Sequence, residues 1–311
     1  MNDKIKGGLF GVCIGDALGV PVEFVSREKL KYAPIDRMIG FGTHNQPPGT
    51  WSDDSSMTLC LADSLCNGYD IYDIADKFLQ WLFKNYWTAH GKVFDIGITT
   101  RLALENVKNI EHPYMAGGIE EDNNGNGSLM RILPIAFYVK DFDAKKKFKI
   151  VSQVSAITHG HIRSIISCCI YVEILINLLK GKNKKEAYED MKKNIFDFFS
   201  NEKQELIFFN RILNNDIASF HKNEINSSGY VIDTLEASFW CFLNNVSFKE
   251  TVLTAVNLGG DTDTTGAVAG GLAGIYYGFE KIPDEWINKI ARNNDILELA
   301  LNLNKSLKTD I

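Results

Sequence analysis

The sequence is poor in proline, in cysteine pairs and in excess charge of either sign. Seven of its 311 residues are proline, and its six cysteines form no CxxC motif. Scattered cysteines are typical of buried thiols in a reducing compartment, so we expect a cytoplasmic protein without a disulfide framework. Lys and Arg total 33 against 39 Asp and Glu, a net charge of -6. This balance argues against a nucleic-acid partner, because nucleic-acid binders usually carry a basic patch.

Long hydrophobic runs are also missing. The longest uncharged stretch that suggests a membrane helix, 264–279, is too short and too rich in glycine to cross a bilayer. At the N-terminus, Asp3, Lys4 and Lys6 precede an apolar run that Asp16 interrupts, which is not the pattern of a signal peptide. We therefore expect no membrane association.

Helical periodicity is present almost throughout the chain. Apolar residues recur every three or four positions in three separate segments: Met57, Leu61 and Leu65; Ile166, Ile170 and Ile174; and Leu235, Phe239 and Phe242. This spacing puts them on one face of a helix, whereas alternating strand patterns are hard to find. Loops are expected near 40–52 and 117–127, and no linker divides the chain. The pattern predicts an all-α fold in a single domain, 1–311.

Two further segments have a distinctive composition. Seven of the 25 glycines fall between Gly259 and Gly278, which predicts a central helix packed tightly against its neighbours. A small-residue dimer contact of the membrane type is the weaker alternative. The segment 180–229 is rich in interleaved Lys and Glu above Phe196, Phe198 and Phe199. Mixed charge of this kind favours a solvated helical face over a partner surface.

Carboxylates gather in two clusters, each directly before a predicted helix. The first runs from Gly49 to Ser56 and the second from Gly259 to Gly266. Helix capping would explain one side chain in each cluster. It does not explain the surplus, because neighbouring carboxylates repel unless a positive charge lies between them. Carboxylate and hydroxyl oxygens from both clusters would suit Mg²⁺ or Mn²⁺, as a single ion or a pair.

The second cluster allows a competing interpretation. Asp261-Thr-Asp-Thr fits the DxDxT nucleophile motif of haloacid-dehalogenase-type phosphatases. That motif follows a buried strand early in a doubly wound α/β domain. Here two glycines precede it, a helix rich in glycine and alanine follows, and only about fifty residues remain. The context therefore disfavours a phosphatase.

Six separated motifs resemble those of the ADP-ribosylglycohydrolase family, and the resemblance covers roughly residues 7 to 278. They are Gly15-Asp-Ala-Leu-Gly with Glu23, Ser52-Asp-Asp, Phe94-Asp-Ile-Gly, Asn124-Gly-Asn-Gly-Ser-Leu-Met-Arg131, Thr158-His159 and Gly259-Gly-Asp-Thr-Asp-Thr264. Ser52 stands where the family usually has threonine. The segment 180–229 matches poorly and is expected to be a variable helical segment.

The resemblance implies an all-α, orthogonal helical bundle with a dinuclear metal centre. Two divalent cations, Mg²⁺ or Mn²⁺, would be its cofactors. By position, the metal ligands would be Ser52, Asp53, Asp54, Asp261, Asp263 and Thr264. The cations would explain how an acidic pocket accepts an anionic pyrophosphate.

The resemblance also implies two catalytic carboxylates. Glu23 would be a general acid or base, or a group that positions water, near the scissile ribose; otherwise it is a surface glutamate after Pro21. Asp95 would face the guanidinium of a modified arginine or take part in opening of the ribose ring; a carboxylate matches the paired donors of guanidinium. Its alternative role is the N-cap of a helix through Leu102 and Leu104.

Substrate binding would fall to a glycine- and asparagine-rich loop and to one histidine. A loop of this composition can bring backbone N–H groups close to a phosphate; the weaker alternative is a plain turn. Arg131 could instead pair with an acid inside the bundle. The candidate residues are Asn124, Gly125, Asn126, Gly127, Ser128, Met130, Arg131 and His159.

The resulting expectation is a metal-dependent hydrolase of the N-glycosidic bond between ADP-ribose and a protein side chain, with arginine favoured. The partner would be an ADP-ribosylated protein or a small ADP-ribose conjugate, and we expect a monomer. The same fold could instead act on a serine-linked, polymeric, acetylated or nucleic-acid-linked ADP-ribose. A non-catalytic ADP-ribose-binding relative is a further alternative, disfavoured because Glu23 and all four aspartates of the two clusters are present.

Overall fold

A computed structural model describes residues 1–309 of the chain. Sixteen α-helices, α1 to α16, are joined by loops and short 3-10 turns. In chain order they are Asn2–Gly19, Arg27–Tyr32, Asp53–Leu65, Ile71–Lys84, Ile98–Asn106, Leu133–Val139, Ala144–Ala156, Ile162–Leu179, Lys184–Phe198, Lys203–Leu206, Asn210–Leu213, Val231–Asn244, Phe248–Val256, Thr262–Tyr277, Asp284–Lys289 and Asn293–Thr309.

The predicted all-α fold is confirmed. Each of the three apolar repeats found in the sequence lies on one helix, α3, α8 or α12, and its residues are buried. Within residues 1–309, strand-like pairing is limited to isolated bridges such as Phe41 with Gln46. No strand precedes Asp261 in that part of the chain, so the phosphatase interpretation is wrong.

Helices α1 and α14 pack against each other through backbone contacts. Glycines recur every four residues on both: Gly7, Gly11, Gly15 and Gly19 on α1, and Gly266, Gly270 and Gly274 on α14. A Cβ on Gly11 would lie 2.2 Å from the carbonyl oxygen of Gly270, and one on Gly15 would lie 2.0 Å from that of Gly266. The helices are antiparallel, so the end of α1 meets the start of α14. The predicted close packing of the glycine-rich helix is confirmed.

The core is continuous around this pair. Buried apolar side chains from Ile5 to Leu303 form one hydrophobic cluster. Two helical segments are long and apolar enough to cross a membrane by length and composition, Asn2–Val22 and Ile162–Leu179. Protein atoms bury 94% and 83% of their most apolar windows. Such burial is typical of the core helices of a folded domain. Neither segment is 264–279, the stretch that the sequence analysis considered as a membrane helix.

The segment 180–229 forms α9 to α11 and several short turns. Lys182 pairs with Asp190 and Lys192 with Glu189, as expected of a solvated face. Lys184 differs, because its ammonium donates hydrogen bonds to the carbonyls of Phe242 and Asn245. Phe199 is buried as expected, whereas Phe198 at the helix end is 39% exposed.

Candidate active site

The two acidic clusters and the loop after Asn124 meet at one cleft of about 280 Å³. The cleft lies where the starts of α3 and α14 come together beside the segment that follows α1. Its wall contains the carboxylates of Glu23, Asp53, Asp54, Asp95 and Asp261, together with Thr264, Gly125, Asn126, Gly127, Met130 and His159. Positions far apart in the sequence therefore share one site.

The start of α3 is held by Asp16, a fully buried residue of α1. Its carboxylate accepts hydrogen bonds from the N–H groups of Ser52 (2.9 and 3.0 Å) and Ser55 (3.0 Å), and from the Ser55 hydroxyl (2.6 Å). The Ser52 Oγ accepts from the Asp54 N–H at 3.3 Å, so Ser52 is the N-cap. Because other groups cap the helix, Asp53 and Asp54 are left free for another task.

The start of α14 is organised differently. Asp261 is its N-cap residue, and the Oδ2 of Asp261 accepts a hydrogen bond from the Asn126 amide at 2.8 Å. Oδ1 of Asp263 accepts from the Thr264 N–H at 2.9 Å. The Thr264 hydroxyl reaches Oδ1 of Asp54 at 3.4 Å, which joins the two helix starts directly.

Three buried carboxylate oxygens in this group lack a hydrogen-bond partner within the described residues. They are Oδ2 of Asp54, Oδ1 of Asp261 and Oδ2 of Asp263. Oxygens of Asp16, Asp54 and Asp263 lie within 4.8 Å of one another, and so do those of Glu23, Asp261 and Asp263. A buried charged oxygen without a partner is costly unless a cation contacts it. The donor set therefore fits hard divalent cations.

Burial and mutual repulsion give this cluster unusual proton affinity. Burial raises the pKa of Asp53, Asp54 and Asp263 well above its ordinary range, and neighbouring carboxylates raise it further. Burial, and then Asp95 and Asp261, raise the pKa of Glu23 to about 10. Without a compensating cation the cluster retains protons at neutral pH, so a cation and protons compete for the same oxygens.

Both predicted catalytic carboxylates lie in the cleft. Glu23 is only 5% exposed, so the interpretation of a surface glutamate is wrong. Asp95 does not cap the following helix, because α5 begins after Gly97. Asp95 has a φ of 54°, a left-handed conformation that an aspartate adopts only at some cost. This backbone conformation is consistent with a functional position.

The structure divides the predicted substrate loop into two groups. Gly125, Asn126, Gly127, Met130 and His159 line the cleft. Asn124, Ser128 and Arg131 lie behind its wall and support it. The oxygen of the Asn124 side chain accepts from Ser164, and the Ser128 hydroxyl accepts from Ser155.

Arg131 is fully buried, and its guanidinium donates to the carbonyls of Gly127 and Val154 and stacks on Phe78. Inside the bundle, Arg131 therefore contacts two backbone carbonyls and the Phe78 ring. The alternative prediction, that Arg131 pairs with an acidic side chain there, is wrong. The contact with Gly127 ties the loop to the helix core, which indicates a supporting role.

His159 is an uncharged member of the cleft wall. Burial, and then Arg131, lower its pKa to about 3, so the imidazole is neutral at physiological pH. The Thr158 hydroxyl hydrogen-bonds its Nδ1 at 2.8 Å and fixes the ring. A Cβ on Gly127 would lie 2.8 Å from this ring, so the glycine allows the loop to approach it.

Two residues of the site were missed by the sequence analysis. Asp16 belongs to the first of the six motifs, but its role could not be predicted because its hydrogen-bond partners lie 36 to 39 residues away in the sequence. His44 lies in the loop before α3, where its Nε2 hydrogen-bonds Oε2 of Glu23. Nothing in the spacing of a single histidine in a turn-rich loop indicates that contact.

Comparisons with known proteins agree over nearly the whole chain. The chain is 35% identical over 302 residues to the ADP-ribosylarginine hydrolase Tri1 of Serratia proteamaculans, covering 96% of this chain and 78% of that protein. It is 30% identical to the ADP-ribosyl-dinitrogen reductase glycohydrolase of Rhodospirillum rubrum, covering 93% and 91%. A solved structure described as an ADP-ribosylglycohydrolase-related protein complex superposes with a TM-score of 0.83 at 31% identity, covering 98% of both chains. The family model described as ADP-ribosylglycohydrolase matches residues 1–310, and the chain belongs to the ADP-ribosylglycohydrolase family.

Proposed function

We propose that this enzyme hydrolyses the N-glycosidic bond between ADP-ribose and an arginine side chain. The observation that carries the proposal is the convergence of Glu23, Asp53, Asp54, Asp95 and Asp261 on one cleft. Of these, Asp95 is neither a proposed cation ligand nor the proposed acid, so its carboxylate can face a cationic guanidinium beside the scissile bond. Relatives 33–35% identical over nearly the whole chain are named ADP-ribosylarginine hydrolases, which supports the same substrate class.

The residues that would hold two divalent cations, Mg²⁺ or Mn²⁺, come from the two helix starts. They are Ser52, Asp53, Asp54, Asp261, Asp263 and Thr264, and the partnerless oxygens of three of them support the assignment. When bound, the cations would supply Lewis-acid attraction for anionic and hydroxyl oxygens of the substrate.

The protein side chains have separate tasks in the proposed reaction. Departure of arginine leaves positive charge on the ribose ring, and the carboxylate of Asp95 at the cleft stabilises both this charge and the guanidinium. The Glu23 carboxyl at the cleft would give a proton to the leaving nitrogen as the C–N bond breaks, and the water that adds to the ribose carbon would return a proton to Glu23. The backbone of Gly125 and Gly127 and the neutral ring of His159 provide an uncharged wall for the rest of the substrate.

The test is release of ADP-ribose, followed by mass spectrometry, from a matched set of peptides modified on arginine, serine, glutamate or cysteine. The protein is assayed with Mg²⁺, with Mn²⁺ and with EDTA. Release from the arginine peptide alone, lost in EDTA and in an Asp54→Asn/Asp261→Asn variant, is the expected result.

Each other outcome identifies one of the alternatives. Release from a different linkage would retain the site and overturn the choice of arginine. Binding of ADP-ribose without release from any peptide would favour a non-catalytic binding protein. A comparison of free ADP-ribosylarginine with the peptide separates a small conjugate from a modified protein as the partner.

A further inference from the structure

His44 lies beside both carboxylates assigned to catalysis. Its Nε2 hydrogen-bonds Oε2 of Glu23 and lies 4.0 Å from Oδ1 of Asp95. One carboxylate oxygen of Glu23, one of Asp95 and an imidazole nitrogen of His44 all lie within 4.8 Å of one another. The hydrogen bond with the imidazole fixes the orientation of the Glu23 carboxyl, and the 4.0 Å contact keeps the same ring beside Asp95.

The imidazole has little freedom to leave this position. Its side chain is 17% exposed. The ring centroid lies 5.3 Å from that of Phe94 and 6.4 Å from that of Phe24. These two aromatic residues are direct chain neighbours of Asp95 and Glu23. The ring is therefore held by the same two segments that carry the catalytic carboxylates.

The loop that presents His44 is anchored to Glu23 as well. The Thr43 hydroxyl donates to the Glu23 carbonyl at 2.8 Å, and the Gln46 amide donates to the His44 carbonyl at 3.2 Å. The N–H of Phe41 closes the loop by donating to the Gln46 carbonyl at 2.5 Å. These contacts fix the conformation of the loop and hold it against the segment that carries Glu23, at one end of the cleft.

The backbone of this loop is strained. Phe41 and Asn45 have φ values of 66° and 51°, and Gly42 between them has 58°. A Cβ on Gly42 would lie 1.9 Å from the carbonyl oxygen of Pro21, so the close approach requires glycine. Left-handed conformations at non-glycine residues persist only where surrounding contacts enforce them. Here they direct the imidazole of His44 toward Glu23.

From this geometry we propose that His44 is a positioning residue that holds the Glu23 and Asp95 side chains in their reactive arrangement. The inference rests on the proposed function, because it assigns His44 a task in that reaction. His44 acts through the two carboxylates, so its loss lowers kcat and leaves KM nearly unchanged. A residue that merely stabilised the loop would lower the melting temperature without this split.

The kinetic test compares His44→Ala, His44→Gln and His112→Ala in steady-state hydrolysis of an ADP-ribosylarginine peptide. We expect kcat of His44→Ala to fall roughly 10–100-fold, the range found for groups that orient reactive ligands, with KM changed less than about threefold. His44→Gln retains an amide donor and recovers part of kcat.

The matched control is His112, which also has a hydrogen bond, to Tyr72, and a carboxylate neighbour, Glu111. It lies outside the cleft wall, so His112→Ala should keep the wild-type kcat. Added imidazole should raise kcat of His44→Ala and have no effect on His112→Ala. Equal kcat for wild type and His44→Ala, or a loss explained by unfolding at the assay temperature, would overturn the proposal.

A spectroscopic test is independent of turnover. The six histidines are labelled with ¹⁵N, and the His44 signals are assigned from their absence in His44→Gln. The Nε2 shift should report a strong hydrogen bond that weakens in Glu23→Gln and is unchanged in His112→Ala. An Nε2 shift insensitive to Glu23→Gln would refute the contact. If the contact is present while no arginine peptide is hydrolysed, the proposed function fails and not the geometry of His44.

Discussion

The starts of α3 and α14 contain similar acidic and hydroxyl residues, but the hydrogen bonds at the two helix starts are made in different ways. At α3, Ser52 and the buried Asp16 accept the helix N–H groups, so Asp53 and Asp54 do not cap. At α14, Asp261 stands at the cap position itself and is oriented from outside by Asn126. Each start thus has one supporting side chain from a distant segment.

The difference shows how carboxylates that are not needed as helix caps come to form a binding site. Capping requires few acceptors, and the fold supplies one at α3 from α1, 36 residues away. The remaining carboxylates point into a shared space where three of their oxygens lack partners among residues 1–309. A cap and a ligand are therefore distinguished by what the rest of the chain brings to the helix start.

The largest expected effect comes from removing one carboxylate at either start. Asp54→Asn and Asp261→Asn should each lower kcat/KM by more than about 100-fold, since even second-layer partners of metal ligands commonly contribute 10–100-fold. Calorimetric titration with Mn²⁺ should show weaker binding in both. A large loss at one start only would contradict a shared site.

The supporting side chains should have the next largest effect. Asp16→Asn and Asn126→Ala leave the proposed ligands in place and disturb their orientation, so Mn²⁺ affinity should fall about 10–100-fold in each. Titration calorimetry measures the affinity and circular dichroism confirms the fold. Unchanged affinity in Asp16→Asn would mean that α3 is held adequately without a charged acceptor.

The glycine contact that brings the two starts together is the third target. Gly15→Ala places a Cβ 2.0 Å from the backbone oxygen of Gly266. Because backbone cannot rotate away as a side chain does, the free energy of unfolding should fall by about 1–3 kcal/mol.

Gly8→Ala is the control on the same helix, since its Cβ would meet only side-chain atoms at 3.0 to 3.3 Å. Urea unfolding should show a clearly smaller loss of stability for Gly8→Ala than for Gly15→Ala. Equal losses would mean that the α1–α14 contact has no special role.

The smallest expected effect is a dependence of stability on pH in the metal-free protein. Burial and neighbouring carboxylates raise the pKa of Glu23 to about 10 in the folded state, and burial raises that of Asp16 to about 7. The folded protein therefore binds more protons than the unfolded chain above about pH 4.5, and stability falls as pH rises toward those values. With EDTA, the melting temperature should decrease from pH 6 to pH 9 by a few degrees.

The control for the pH experiment is the same scan with Mn²⁺. A bound cation favours the ionised carboxylates, so the decrease should shrink or reverse. A pH response identical with and without the cation would show that the cation does not contact this cluster.

Much of this arrangement could be predicted from the sequence. Periodicity identified the helices because burial on one face imposes it, as Met57, Leu61 and Leu65 show on α3. The surplus of acids at two helix starts predicted a common site. Glu23 and Asp95 were placed there by family resemblance, and the structure brings both into the cleft.

The rest depended on contacts that local sequence does not encode. Asp16 lies within an apolar helix, and only the packing of α1 beside α3 reveals its partners. His44 reaches Glu23 from a loop in which Phe41, Gly42 and Asn45 have left-handed backbone conformations. Arg131 was expected among the substrate residues, and its burial against Phe78 follows from the fold alone.

The antiparallel contact of α1 and α14 also has a consequence for synthesis. Thr262 donates a hydrogen bond to the carbonyl of Gly19, a separation of 243 residues. At ribosomal rates of about 5–20 residues per second, α1 waits on the order of 10–50 seconds for its partner. During that interval its glycine face is uncovered and the cleft has only one of its two helix starts. Nascent chains that stop before α14 would therefore expose the face of α1 that α14 covers in the folded protein, a state suited to recognition by chaperones.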